Sequence, residues 1–346
     1  MTSDGTVDLR TLSDLATPWC VRVAATLGVA EHIDAGTTAV GALAAACGCD
    51  ADSLKAVLDH LAGRGVFERD GSGGYALNDA ARRLLDPAFR LFLDLDGVGG
   101  RFAGAWASLL EAVRTGRCTY DRVFGLPFWE DLDAHPAIAA SFDALMGREG
   151  HGTPDADVLA DGDWSAVRTV VDVGGGTGAL LAELLRAHPT LRATLVDLPR
   201  TVARSHAVFE SAGVQERVTV RGQSFFDPLP AGADLYVLKA VLNDWPDAEA
   251  TAILRRCADA ARPAGRVVIV GGVTPEGARG GGISPDMLVA RGIGGPRRTV
   301  ERLDELAEAA GLSVHAHRQG AGDRISIECR PRTDVSPQHM EDEAGA

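Results

Sequence analysis

A glycine-rich loop at residues 174–178 constrains the fold of this chain more than any other feature. It lies in the stretch VVDVGGGTGALLAELL, between an apolar segment typical of a buried strand and a segment with helical spacing. Glycine has no Cβ atom, so such a loop can turn sharply and approach a ligand closely, beside the N–H groups of a helix start. The loop therefore predicts a small-molecule site at the end of a strand.

From Arg168 onward, strand-like and helix-like segments alternate. The strand-like segments are VRTVVDV, ATLVDL, RVTVRG, ADLYVLKAVL and GRVVIVGG, and the helical segments are LLAELLRAHP, RTVARSHAVFESAG, DAEATAILRRCADAA and VERLDELAEAAG. This alternation predicts right-handed βαβ units in a parallel, doubly wound sheet, which is an α/β fold of the Rossmann-like type. We place this domain at residues 156–330 and expect the polar residues 331–346 to form a disordered tail.

The N-terminal part is predicted to be an all-α domain of the winged-helix type. Apolar residues recur at helical spacing in LRTLSDLATPWCVRVAATLGVAEHI, where Pro18 can interrupt the helix. A helix, a glycine-containing turn, a helix capped near Asp52 and two short strands around DGSGG follow. We place this domain at residues 1–100, and expect residues 101–155 to form a helical linker that contributes to a substrate pocket.

A winged helix often reads DNA, but the charge of this chain argues against a nucleic-acid partner. The second helix carries Lys55 and Arg64 against Asp52 and Asp59, and the whole chain has 34 Lys+Arg against 48 Asp+Glu. Phosphate binding depends largely on Lys and Arg. The winged helix is therefore expected to pack against a second copy of itself.

Other features predict a cytoplasmic protein with no membrane partner and no metal site. No apolar stretch approaches the ~20 residues that span a bilayer, and the polar MTSDGTVDLR does not resemble a signal peptide. The six cysteines are scattered, and the single C-x-C at Cys47 and Cys49 is a weak metal signal. Reduced thiols are the expected state.

The glycine loop by itself leaves the cofactor open. Gly174-x-Gly176-x-x-Ala179 also satisfies the dinucleotide pattern, and Asp197 at the end of the next strand could bind ribose in either case. Asp172, however, gives D-x-G-x-G-x-G, and a carboxylate there suits an ammonium group but repels a pyrophosphate. Phe225 in GQSFFDPLP could cover an adenine. These residues favour S-adenosylmethionine, or its demethylated product, over a nicotinamide cofactor.

The chain from about Leu9 to Cys329 resembles the dimeric small-molecule O-methyltransferases typified by plant caffeate enzymes. It looks most like bacterial members that methylate aromatic polyketides in the neocarzinostatin, mitomycin and anthracycline pathways. The resemblance is carried by the winged-helix start, FWEDL…FDALM, VVDVGGGTG, SFFDPLP and LKAVLNDWPD. It implies an S-adenosylmethionine-dependent O-methyltransferase that works as a homodimer on a phenolic hydroxyl of a small aromatic substrate.

The resemblance also implies roles for individual residues. The cofactor-binding residues would be Asp172, Gly174, Gly176, Asp197, Leu198, Ser224, Phe225, Lys239 and Trp245. The acceptor-binding residues would be Phe142, Met146, Asp286 and Met287, with Arg10 lent by the neighbouring subunit. On sequence alone, Phe142, Leu145 and Met146 share one helical face, which is also the pattern of a core helix.

Two positions depart from the family pattern. Plant enzymes read L-K-x-x-L-H-D-W, and their histidine is the general base, whereas this chain has Asn243 at that position. Gly271 stands where a carboxylate orients the histidine. An amide cannot take a proton at neutral pH, although it can donate a hydrogen bond. Asn243 therefore marks a missing base.

A missing base does not abolish methyl transfer, because proximity and alignment can supply about 7–11 kcal/mol and an acidic phenol ionises with little help. Asn243, beside Asp244, would then orient the acceptor, and His151 is the other candidate base. One relative of this fold hydroxylates instead of methylating. A methyltransferase-like enzyme that catalyses hydroxylation or decarboxylation remains the alternative.

Overall fold

The computed structural model describes residues 8–71, 73–147, 157–160, 162–271, 289, 298–319 and 325–332. Contacts divide the chain into two compact units. The first unit comprises residues 1–114 and 119–152, and the second comprises residues 115–118 and 153–346.

The first unit is mostly helical. Its helices are α1 (Leu9–Leu12), α2 (Ala16–Thr26), α3 (Val29–Asp34), α4 (Val40–Cys47), α5 (Ala51–Gly63), α6 (Asp79–Arg82), α7 (Pro87–Leu93), α8 (Val98–Ala105), α9 (Leu109–Thr115), α10 (Tyr120–Phe124), α11 (Phe128–Ala134) and α12 (Pro136–Met146). Strands β1 (Phe67–Arg69) and β2 (Tyr75–Leu77) form an antiparallel hairpin. Short 3₁₀ helices lie at Arg83–Leu85 and Trp106–Ser108.

Helix α5 shows how the sequence produces the predicted winged helix. Leu54, Leu58 and Leu61 recur at helical spacing and are buried in the core of this unit. The N-cap is Asp50, whose side chain accepts a hydrogen bond from the Ser53 N–H at 2.8 Å. The cap expected near Asp52 is therefore two residues earlier, and the hairpin follows α5 as predicted.

The helical face predicted on α12 is only partly buried. Leu145 is buried and Phe142 is partly buried, whereas Met146 is 41% exposed. Phe142 packs edge-on against Phe128, with ring centroids 5.3 Å apart. Leu145 therefore belongs to the core, and Met146 does not.

The second unit alternates strands and helices as predicted. Its strands are β3 (Thr169–Val173), β4 (Arg192–Asp197), β5 (Val218–Gly222), β6 (Leu235–Lys239), β7 (Arg266–Val270), β8 (Leu312–Gln319) and β9 (Ile325–Pro331). Its helices are α13 (Ala179–Ala187), α14 (Pro199–Val202), α15 (Ser205–Ala212), α16 (Asp247–Ala261) and α17 (Val300–Ala309). Short 3₁₀ helices lie at Gln215–Arg217 and Leu242–Asp244.

The sheet of this unit has the order β5-β4-β3-β6-β7-β9-β8. The first five strands are parallel, and β9 pairs antiparallel with both β7 and β8. Leu235 and Val237 of β6 pack on one face, while Tyr236 and Leu238 pack on the other. A strand buried on both faces reads as a continuous apolar run, which is why β6 is recognisable from the sequence.

The sheet extends beyond the five strands that the sequence predicts. Strands β8 and β9 add an antiparallel edge, and the apolar pattern did not predict either of them. Strand β9 includes Pro331, the first residue of the expected tail, and residues 333–346 lie outside the described residues. None of the helices among the described residues combines the length and the apolar character needed to cross a membrane.

Candidate active site

The predicted cofactor residues lie where four neighbouring parallel strands end. In the register of the sheet, Val173 lies opposite Val196, and Asp197 lies opposite Gly222. Strand β6 ends nearby at Lys239, on the other side of β3. Because parallel strands end at the same edge, residues distant in sequence converge there, which is the usual ligand position in such sheets.

The glycine loop is bound to β4 on one side and open on the other. The Gly174 N–H donates to the Val196 carbonyl at 2.8 Å, and the Gly176 N–H donates to Asp197 Oδ2 at 2.8 Å. Both glycines have left-handed φ angles, +71° and +62°. A Cβ atom at Gly174 would lie 2.8 Å from Val241 Cγ2, but one at Gly176 would meet nothing within 4 Å. Gly176 therefore faces space that a ligand can fill.

Asp172 is a buried carboxylate beneath this loop. Its residue is 1% exposed, and its Oδ2 atom has no hydrogen-bond partner among the described residues. Burial raises the pKa of Asp172 to about 7, the charge of Lys239 lowers it, and the charge of Asp197 raises it. An unpartnered buried oxygen of this kind is costly unless a ligand group satisfies it.

Asp197 is partly buried and already holds two backbone groups. Its Oδ2 atom accepts from Gly176, and its Oδ1 atom accepts from the Leu198 N–H at 2.7 Å. Burial raises the pKa of Asp197, and these two hydrogen bonds act in the opposite direction. Each carboxylate oxygen has a second lone pair, so Asp197 can still accept from ligand hydroxyls.

Three aromatic side chains form a cluster beside the loop. Phe225 contacts Phe226 and Trp245 with centroid distances of 5.1 and 5.7 Å, and Phe226 contacts Trp245 at 4.9 Å. Phe225 Cε1 would lie 3.4 Å from a Cβ atom on Gly174. Ser224 Oγ accepts from the Phe226 N–H at 3.2 Å and fixes the turn that presents these rings. The three rings meet edge to face, and the cluster provides an apolar surface for an aromatic ligand group.

Asn243 lies in the 3₁₀ helix Leu242–Asp244, just past the end of β6. Ala240 connects the strand to this turn with φ +58°, a left-handed conformation that is uncommon outside glycine. The Asn243 side chain is partly buried and makes no hydrogen bond to any described residue. The Asp244 N–H donates to the Val241 carbonyl at 3.2 Å. The Asn243 amide is thus available to an acceptor molecule.

Gly271 follows β7 with φ +85°, and its N–H donates to the Ile325 carbonyl at 2.9 Å. A left-handed backbone favours glycine, so a glutamate would be strained at this position. With Asn243 and Gly271, the chain has neither the histidine nor the carboxylate expected at these two positions from its resemblance to the plant enzymes.

The remaining predicted site residues belong to the first unit or lie outside the described residues. Arg10 lies on α1 and is exposed, and Phe142 and Met146 lie on α12, all in the first unit. His151, Asp286 and Met287 lie outside the described residues. One residue that no sequence pattern identified, Arg298, binds the backbone on both sides of Asn243. A single arginine before a helix N-cap belongs to no motif with a recognisable spacing, so the role of Arg298 is visible only in the structure.

Comparison with known protein families identifies the family to which the chain belongs. Residues 106–313 match the O-methyltransferase domain, and residues 9–87 match the O-methyltransferase dimerisation domain. The chain belongs to the O-methyltransferase family. The two matches confirm the predicted family, the predicted fold class and the prediction that the N-terminal domain of this O-methyltransferase is a dimerisation domain.

Three similar proteins show which kinds of O-methyltransferase relatives this chain resembles. The 2,7-dihydroxy-5-methyl-1-naphthoate 7-O-methyltransferase of Streptomyces carzinostaticus is 45% identical over 314 residues, covering 90% of this chain and 93% of that protein. The aclacinomycin 10-hydroxylase of Streptomyces purpurascens is 39% identical over 318 residues, covering 90% and 85%. A crystal structure of a neocarzinostatin-biosynthesis O-methyltransferase, in complex with S-adenosylmethionine and 2-hydroxy-5-methyl naphthoic acid, has a TM-score of 0.86. It is 42% identical, and the match covers 95% of this chain and 100% of that one.

Proposed function

We propose that this O-methyltransferase transfers the methyl group of S-adenosylmethionine to a phenolic hydroxyl of an aromatic polyketide-type metabolite in antibiotic biosynthesis. We further propose that it acts as a cytoplasmic homodimer. The observation that carries the proposal is the buried carboxylate of Asp172, whose Oδ2 atom has no hydrogen-bond partner among the described residues, beneath a glycine loop with open space at Gly176.

The residues at the strand ends suit the methionine, ribose and adenine parts of S-adenosylmethionine. Asp172 offers a carboxylate to the ammonium group of the methionine part, and Gly174 and Gly176 allow that part to approach the backbone. Asp197 and Leu198 would bind the ribose. Ser224, Phe225, Lys239 and Trp245 would border the adenine and the rest of the cofactor. When bound, S-adenosylmethionine supplies a methyl group activated by its sulfonium.

The protein's own contribution to the reaction is to bind and orient the acceptor. Asn243 cannot remove the phenolic proton, because an amide is not a base at neutral pH. It can donate a hydrogen bond to a phenolate or to a neighbouring carbonyl and so hold the acceptor in line, with Asp244 beside it. Catalysis by alignment is sufficient for an acidic phenol, since well-oriented reactants gain about 7–11 kcal/mol.

Two similarities support an aromatic acceptor of the naphthoate type. The Streptomyces carzinostaticus relative is named for a dihydroxynaphthoate, and the neocarzinostatin enzyme was crystallised with a hydroxynaphthoic acid. We propose that Phe142, Met146, Asp286 and Met287 contact this acceptor, and that Arg10 reaches it from the partner subunit. His151 is proposed as the group to test if a protein base exists.

A second function has support of its own. The aclacinomycin 10-hydroxylase is 39% identical to this chain, and Asn243 occupies the place of the general base of plant methyltransferases. An enzyme of this kind would use the same cofactor site for hydroxylation or decarboxylation.

Mass spectrometry separates the two functions. The purified protein is incubated with S-adenosylmethionine and a panel of hydroxynaphthoic acids and polycyclic phenols. A product that has gained one methyl group, together with S-adenosylhomocysteine, supports the proposed function. A product that has gained oxygen or lost carbon dioxide, without S-adenosylhomocysteine, contradicts it and supports the alternative.

A further inference from the structure

Arg298 is a buried cation whose guanidinium binds two backbone carbonyls of one turn and the carboxylate that follows it. Its side chain is 1% exposed. Nη1 donates to the Leu242 carbonyl at 2.6 Å, Nη2 donates to the Trp245 carbonyl at 2.5 Å, and Nε donates to Asp247 Oδ1 at 2.8 Å. The two carbonyls flank Asn243 and Asp244, so the guanidinium spans the turn on which Asn243 lies.

The backbone hydrogen bonds within the turn are weak. Its own backbone hydrogen bonds are long: the Asp244 N–H lies 3.2 Å from the Val241 carbonyl, and the Trp245 N–H lies 3.4 Å from the Leu242 carbonyl. It also follows Ala240, whose left-handed φ of +58° is intrinsically unfavourable. The hydrogen bonds from Arg298 are shorter and charge-assisted, and bonds of that kind are roughly twice as strong as neutral ones.

The contacts with the two carbonyls distinguish Arg298 from a neighbouring arginine that also binds Asp247. Arg302 donates to Asp247 Oδ2 through Nε at 2.9 Å and Nη2 at 2.6 Å, but it is 46% exposed and makes no contact with either carbonyl of the turn. The Asp247 carboxylate orients the Arg298 fork from the start of α16. Both arginines thus share one ion-pair partner, and only Arg298 reaches the turn.

We propose that Arg298 is the positioning residue of this enzyme: it sets the location of the Asn243 amide, and through it the alignment of the acceptor. This inference rests on the proposed function of the site. A planar fork with fixed donor directions can bridge two carbonyls and a carboxylate at once, whereas a lysine ammonium cannot reproduce that geometry. Arg298→Lys therefore keeps the charge opposite Asp247 and loses the bridge.

The kinetic consequence follows from the cost of misalignment. A displacement of a reacting group by about 1 Å can cost about 10²-fold in rate. We expect Arg298→Lys to lower kcat for the phenolic acceptor by about 10²-fold. The Kd for S-adenosylhomocysteine should stay within about threefold, because an interaction that aligns the acceptor affects kcat separately from cofactor binding. Arg302→Gln is the matched control and should leave both values near those of the wild type.

A double-mutant cycle with Asn243→Ala tests whether Arg298 acts through Asn243. Residues that act as a unit are not additive, so Arg298→Lys should cost no more than about threefold once Asn243 is absent. An equal loss with and without Asn243 would overturn the proposal, and so would an unchanged kcat in the single variant.

A purely structural role gives a different result. Arg298→Gln, which removes the charge and both donors to the two carbonyls, serves as a second variant. Loss of the folded state or of S-adenosylhomocysteine binding in both variants, measured by thermal melting and calorimetry, would overturn the positioning role. A wild-type protein that transferred no methyl group would instead contradict the proposed function, so the two failures are distinguishable.

Discussion

Replacing Asp172 by asparagine should stabilise the unliganded protein and weaken its affinity for the cofactor. Burial and the charge of Asp197 hold the pKa of Asp172 at about 7, despite the charge of Lys239, whereas its ordinary value is 3.8. Between about pH 4 and pH 7 the folded protein therefore binds this proton more tightly than the unfolded chain does. The stability contributed by Asp172 falls as the pH rises through that window, and the full cost is present above pH 7.

The size of the effect follows from the two pKa values. At about 1.4 kcal/mol for each pH unit between 3.8 and about 7, ionised Asp172 destabilises the unliganded protein by about 4 kcal/mol. Asparagine removes this cost but introduces a buried amide, whose unpaired donors cost ~1–3 kcal/mol. We expect a net gain of roughly 1–3 kcal/mol at about pH 8, or about 2–4 °C in Tm for each kcal/mol in a domain of this size.

Cofactor binding should respond to the charge of Asp172 in the opposite direction from the stability of the unliganded protein. A cationic ammonium group favours the ionised carboxylate, so wild-type affinity for S-adenosylhomocysteine should fall as the pH is lowered below about 7, by up to about tenfold per pH unit. Asp172→Asn should bind at least about tenfold more weakly at about pH 8, with little dependence on pH. Calorimetry across the pH range measures the affinity, and thermal melting of the unliganded protein measures the stability.

Glu216→Gln is a suitable control, because this carboxylate is exposed in the same unit. It should reproduce the wild-type profile in both measurements. If Asp172→Asn binds S-adenosylhomocysteine as tightly as the wild type at about pH 8, the carboxylate does not receive the ammonium group. A lower Tm for the variant at that pH would contradict the assignment of a destabilising buried charge.

Three further predictions concern the loop, the assembly and the acceptor. Gly176→Val should reduce S-adenosylhomocysteine affinity at least about tenfold in calorimetry, whereas Gly213→Val, at a glycine with a similar φ of +67° and equally open surroundings, should not. Light scattering at micromolar concentration should give the mass of two subunits, because Leu9, Leu12 and Leu15 are 75%, 72% and 77% exposed; a single-subunit mass would contradict this. Asn243→Ala should lower methyl transfer about 10²-fold if the amide orients the acceptor, and a loss within about tenfold would refute orientation. In the wild type, the midpoint of the pH–rate profile should follow the pKa of the substituted phenol, and a fixed midpoint near about 6.5 would instead indicate a histidine.

The sequence is most informative where local pattern and burial coincide. The strands β3, β6 and β7 are covered on both faces, so each reads as an apolar run, and acidic, basic or glycine residues lie at their ends. Parallel pairing then brings those ends to one edge of the sheet. Asp172, Asp197 and Phe225 can therefore be grouped into one site from the sequence alone.

The features that sequence patterns miss depend on contacts over long chain distances or on weak periodicity. In β8, the segment LSVHAHRQ alternates apolar and polar residues only over its first six positions and has one fully buried position, so its strand signal is weaker than that of the buried strands. Arg298 donates to a carbonyl 56 residues earlier in the chain. That acceptor is a backbone carbonyl, which every residue has, so the type of residue gives no sign of the contact. Side-chain patterns cannot reveal partners of this kind.

The residues at two positions, Asn243 and Gly271, support the same conclusion about the mechanism. The Gly271 backbone has φ +85°, a conformation that costs an ordinary residue about 1–2 kcal/mol. Restoring the carboxylate of the plant enzymes would therefore strain the end of β7, and a histidine at position 243 would have no carboxylate there to fix its orientation. The fold thus favours a site that aligns its acceptor without deprotonating it, and this limits efficient substrates to hydroxyls acidic enough to ionise in water.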